Sequence, residues 1–230
     1  MMAIVQNVTQ QTKHWAFGLL ACILVFGLGA APAVHAQDNG GGSADKQKLE
    51  QLKQAYAAFQ QAGKQNNYET AYSKLAEATQ LADETGQSGA LGKLRGFQQR
   101  LPTKWGNEAL EAKNYNRALT HFEKGMEWSP QDAYVYYGKG LALVNMDSTE
   151  AAMQAMQQAI QVGQENGDTR TANLAAERIR QEFIATASQA LSAENPTQSD
   201  AQTALSALDQ MREYVDPNAK SLFYRATALY

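Results

Sequence analysis

One period constrains this chain more than any other feature. Gly106, Ala118, Leu119, Phe122, Gly125 and Trp128 are each followed 34 residues later by Gly140, Ala152, Met153, Met156, Ala159 and Val162, and every pair keeps its size class. Self-similarity at a fixed spacing of 20–50 residues marks a stack of identical supersecondary units, none of which can bury its apolar face alone. A second, longer offset points the same way. Phe59, Tyr68, Ala71, Leu75, Ala78 and Leu81 precede Gly106, Tyr115, Ala118, Phe122, Gly125 and Trp128 by 47 residues, which is one period plus a 13-residue insertion. Phe59 departs from the small residue expected at its place.

Within each unit the apolar residues recur at three and four. Leu49, Leu52, Tyr56 and Phe59 share one helical face, as do Tyr68, Tyr72, Leu75, Ala78 and Leu81. Alternating β-branched runs are missing, and Ala, Gln, Leu and Glu dominate, so the reading is all-α with no strands. Gly, Pro and capping residues place helices near 45–64, 68–85, 89–112, 115–128, 131–145, 148–165, 168–192, 198–214 and 218–229. Pro102 falls inside the third and predicts a kink or a split there. Short connections between so many helices predict antiparallel neighbours.

The stretch Trp105–Pro130, WGNEALEAKNYNRALTHFEKGMEWSP, resembles the signature of the tetratricopeptide repeat. Trp105-Gly106 stands at the Leu-Gly position, Tyr115 at the turn, Ala118 and Phe122 at the Ala-x-x-x-Phe pair, and Pro130 at the closing proline. The resemblance implies a right-handed superhelix of stacked antiparallel helix pairs. Its best repeats are 99–132 and 133–166, with a weaker one at 52–85 and a degenerate region over 167–230. Small residues at 106, 118, 125, 140, 152 and 159 let two helices approach closely, and Phe122 and Met156 fill the space between successive pairs.

Ahead of the repeats, Trp15–Val34 is an uncharged, mostly apolar run of 20 residues preceded by Lys13 and followed by the small-residue pattern Val34-His35-Ala36. That is the layout of a secretory signal peptide spanning 1–36. The same stretch admits two other readings, a retained membrane anchor and lipidation at Cys22 in Leu19-Leu20-Ala21-Cys22. Cleavage after Ala36 leaves 19 basic against 23 acidic residues, and the expected location is periplasmic or extracellular. Membrane contact is then expected only through an uncleaved leader. Residues 37–44, QDNGGGSA, read as a flexible spacer before a repeat domain at 45–230.

Composition removes several kinds of chemistry. A net charge of −3 offers no cationic surplus for DNA or RNA, so no nucleic acid is expected as partner. Past residue 36 the chain has no Cys and one His, His121, which excludes Cys/His zinc sites, disulfides and two-histidine mechanisms there. Gly138-Lys139-Gly140 lacks the flanking residues of a phosphate loop and reads as small residues at a helix contact. No nucleophile-elbow, zinc-protease or calcium-loop pattern occurs. The expectation is a non-enzyme without cofactor or metal.

The resemblance further implies that the first helix of each pair lines a concave groove. The matching residues are Arg100, Lys104, Asn107 and Glu111 in one unit and Tyr134, Tyr137, Leu141 and Asn145 in the next. The set that grips a C-terminal carboxylate in some members is incomplete, because Gly138 stands where a second Asn is needed. His121 takes a partly buried packing position in the same comparison. The function so implied is an adaptor binding a peptide or helix of another protein. A structural subunit of a cell-envelope assembly is the alternative, and an envelope hydrolase the remote one.

Overall fold

Capping chemistry and apolar spacing start and stop the helices where the sequence signals them. The computed structural model describes residues 41–230, and the leader, Cys22 and residues 37–40 lie outside that range. In order come α1 (Gly41–Lys64), α2 (Tyr68–Glu84), α3 (Ser88–Glu111), α4 (Tyr115–Trp128), α5 (Ala133–Val144), α6 (Thr149–Asn166), α7 (Thr169–Ala190), α8 (Gln198–Met211) and α9 (Ala219–Leu229). No strand occurs among the described residues.

One expectation needs correction, and one of two alternatives falls away. α1 begins at Gly41, so residues 41–44 extend the first helix and are not spacer. Pro102 does not divide α3, which runs unbroken from Ser88 to Glu111 with Pro102 buried inside it. There the ring packs toward Gly125 of α4, where an added Cβ would lie 3.2 Å from the proline Cβ.

Side-chain oxygens accept from orphan amides at the helix starts. Asn114 accepts from Arg117 N at 3.2 Å, Asp132 from Tyr134 N at 2.9 Å and Asp168 from Thr171 N at 3.1 Å. α8 and α9 open with reciprocal capping boxes, Thr197 with Asp200 and Asn218 with Ser221.

The turns repeat as faithfully as the helices. The α1–α2, α3–α4 and α5–α6 turns each place one non-glycine residue in the left-handed region: Asn66 (φ 56°), Lys113 (φ 57°) and Asp147 (φ 57°). Each is followed by a residue whose amide reaches back to close the turn, as Asn67 N does to Ala62 O, Asn114 N to Ala109 O and Ser148 N to Leu143 O. These positions lie 47 and then 34 residues apart, the two offsets seen among the side chains. Backbone and side chains therefore describe one unit three times.

Each helix packs on the next in sequence, and α3 also packs on α5, α5 on α7 and α7 on α9. First helices thus lie side by side, as in a solenoid. The core follows as a string of overlapping clusters. One gathers Phe59, Leu75, Leu94 and Trp105 from α1–α3, and a second holds Phe122 and Val135 among α3, α4 and α5. A third joins Met153, Met156 and Ile179 with Met211, and a fourth joins Ile184, Leu208 and Ala228.

Close approach in the middle depends on missing side chains. Phe122, fully buried, points its ring end at two glycines: a Cβ added to Gly106 of α3 would meet the ring at 2.7 Å, and one added to Gly138 of α5 at 2.3 Å. Gly138 is thus a residue of close helix contact.

Candidate functional site

The side-by-side first helices α3, α5 and α7 build one continuous face. Asn107 on α3 accepts a hydrogen bond from the Tyr134 hydroxyl on α5 at 3.3 Å. One turn along α5, Tyr137 meets Tyr134 edge-on with ring centroids 5.8 Å apart. Arg178 of α7 is near enough to Tyr137 to favour its ionised form, although burial and Tyr134 together hold that hydroxyl above its usual range. Asn107, Tyr134, Tyr137 and Arg178 therefore form a row crossing three helices.

The rows of half-buried and exposed positions suit a contact surface. Tyr134, Tyr137 and Leu141 are half-buried, with their inner sides on the core clusters and part of each left open. Amphipathic rings held this way lose little entropy when a partner covers them, which is why they are enriched at binding hot spots.

The remaining residues expected to line a groove fall into two groups. Arg100, Lys104 and Glu111 are exposed on α3 at the helical spacing of Asn107, and Lys104 pairs with Glu108 of its own helix at 3.8 Å. Asn145 is exposed at the end of α5, where its amide donates to Leu141 O at 2.8 Å. Its side chain is thereby engaged in capping the helix.

Arg178 and its ion-pair partner Glu182 extend the face, and sequence reasoning did not find them. Arg178 Nε is buried with no hydrogen-bond partner. The signal was Asp168, an N-cap that fixes the start of another first helix at Thr169 and hence the face on which Arg178 falls.

His121 is more buried than expected, at 1% exposure. Its Nδ1 shares a hydrogen bond of 2.9 Å with the Tyr72 hydroxyl, and Tyr68, Tyr72 and Trp105 surround the ring. Among the described residues no group of three or more His, Cys, Asp or Glu side chains could hold a metal ion. None of the described helices is long and apolar enough to cross a membrane.

A helical repeat stack presenting a continuous face of first helices belongs to the class of α-solenoids. A family model described as tetratricopeptide repeat matches residues 109–177. That stretch, which runs from the end of α3 into α7, is similar to tetratricopeptide repeats. Searches of curated proteins and of solved structures give no match.

Proposed function

We propose that the protein is an exported, non-catalytic adaptor whose α3–α5–α7 face binds a peptide or helix of another protein. The observation that carries this reading is the row Asn107, Tyr134, Tyr137 and Arg178, which joins hydrogen-bonding groups to open aromatic surface across three helices. Tetratricopeptide repeats act in protein–protein interaction, and the match over residues 109–177 includes all of α5. Export rests on the leader pattern at residues 1–36.

The test is affinity capture from the exported fraction with the wild-type chain and with Tyr137→Ala combined with Leu141→Asp. Loss of about 2 kcal/mol or more, roughly 30-fold in affinity, is expected for hot-spot residues. Retention of every captured partner by a variant with unchanged helicity would count against the groove. Cell fractionation with intact-mass measurement of the recovered chain checks export and cleavage.

The second reading, a structural subunit of a cell-envelope assembly, is favoured by α9. Leu222, Phe223 and Leu229 on it, and Tyr230 just past its end, are exposed large apolar or aromatic residues. A subunit copurifies at fixed stoichiometry, whereas an adaptor exchanges its partner.

A further inference from the structure

The α2–α4 contact carries a buried titratable group with no carboxylate to receive its charge. His121 of α4 bonds through Nδ1 to the Tyr72 hydroxyl of α2, and its Nε2 is buried with no partner. From α2, Tyr68 stands edge-on to the imidazole at 4.6 Å and Tyr72 at 5.7 Å; from α3, Trp105 lies 5.9 Å away. The nearest charged groups are two cations of α4, the second of them paired with Glu127 of the same helix. Arg117 lies over the Tyr68 ring at 5.7 Å, and Lys124 lies over Trp128, whose ring is 5.2 Å from Tyr72.

Imidazolium is a donor at both nitrogens. In that form Nδ1–H can only donate to the Tyr72 hydroxyl, Nε2–H faces no acceptor, and a new positive charge sits beside Arg117 in an apolar enclosure. We infer that the His121–Tyr72 contact is an acid-labile latch: protonation of His121 frees the α1–α2 pair from α3–α4 before the units from α5 onward open.

Burial, with Arg117 adding to it, holds the imidazole down to about 4, against 6.5 for the exposed group. The folded value is the lower one, so the opened state takes the proton first. The latch is therefore at full strength above pH 6.5 and weakens as pH falls toward 4. Between pH 7 and 4.5 the opening equilibrium of α1–α2 shifts by roughly 60-fold from this group alone.

Hydrogen exchange of the purified protein, corrected for intrinsic rates, reads this region by region. Protection of α1–α2 amides is expected to drop roughly 60-fold more than that of α5–α6 amides between pH 7 and 4.5. His121→Phe, which cannot titrate, should remove that excess. Tyr72→Phe should lower α1–α2 protection already at pH 7 while keeping the pH dependence, and this arm decides the matter if His121→Phe does not fold. An equal drop across all helices in the wild type, or an excess that persists in His121→Phe, overturns the latch. So does a Tyr72→Phe variant whose α1–α2 protection matches wild type at pH 7.

Discussion

Replacing Gly138 by alanine sets two known effects against each other. Gly→Ala inside a helix ordinarily stabilises by about 1 kcal/mol, because glycine loses the most backbone freedom on folding. At Gly138 the new methyl would stand 2.3 Å from the Phe122 ring, more than 1 Å inside the usual ~3.5–4.0 Å carbon contact. Phe122 is fully buried and its ring end lies against Gly106 of α3 as well as Gly138 of α5, so relief requires packed neighbours to move. Overpacking of this kind costs about 1–3 kcal/mol, so after the propensity gain Gly138→Ala should be a net destabilisation of up to about 2 kcal/mol. Shortening the ring relieves the conflict. Phe122→Leu alone should cost about 1–2 kcal/mol through the space it leaves. With Leu at 122, Gly138→Ala should be neutral or stabilising, giving a coupling of at least ~1 kcal/mol. Urea unfolding of the four proteins, followed by far-ultraviolet dichroism and compared only where the slopes agree, measures the cycle. A stabilising Gly138→Ala in the wild-type background, or additive single effects, would refute the interlock.

Two further substitutions test the turns and caps. Lys113→Gly should stabilise by about 0.5–1 kcal/mol in thermal or urea unfolding, since Lys113 holds φ 57° where a side chain is disfavoured; a destabilised variant would show that the lysine contributes something the turn geometry does not reveal. Asp168→Ala should cost about 1 kcal/mol by removing the cap on Thr171 N. Its carboxyl is held below 3.8, chiefly by the Thr171 hydrogen bonds, so the effect should be complete above pH 4 and shrink as pH falls through the lower, folded value. An Asp168→Ala penalty that does not diminish in acid would contradict that assignment.

Helix placement was legible because it rests on local signals. Asn67, Asn114 and Asp168 each cap the helix that follows, and the spacing of Tyr72, Leu75 and Ala78 fixes which face of α2 is inside. The spacer boundary was misread because Gly41–Ala44 looks flexible by composition, while the helix that continues through Asp45 carries those residues with it. Pro102 was ambiguous for a related reason. A proline costs a helix one hydrogen bond, but its ring is buried in the contact with Gly125, and only the tertiary packing shows that gain. Contacts such as Tyr72 with His121, 49 residues apart, leave no local trace at all.

The decay of the repeat after residue 167 has a structural cause that also explains why the face of first helices outlasts it. The three clear units share a tight turn with a left-handed residue, and α7–α8 has none: α7 runs 22 residues, and the chain takes Leu191–Pro196 to reach the Thr197 cap. Without that turn the 34-residue spacing has nothing to enforce it, so the sequence register drifts. Stacking of first helices is set by a different requirement, that each present a small, apolar side to its neighbours. α7 meets it with Ala172, Ala175 and Ile179, all buried, and keeps its place against α5. The face carrying Tyr134 and Tyr137 can therefore be extended by Arg178 even where the signature has faded, because packing, not the turn, holds α7 beside α5.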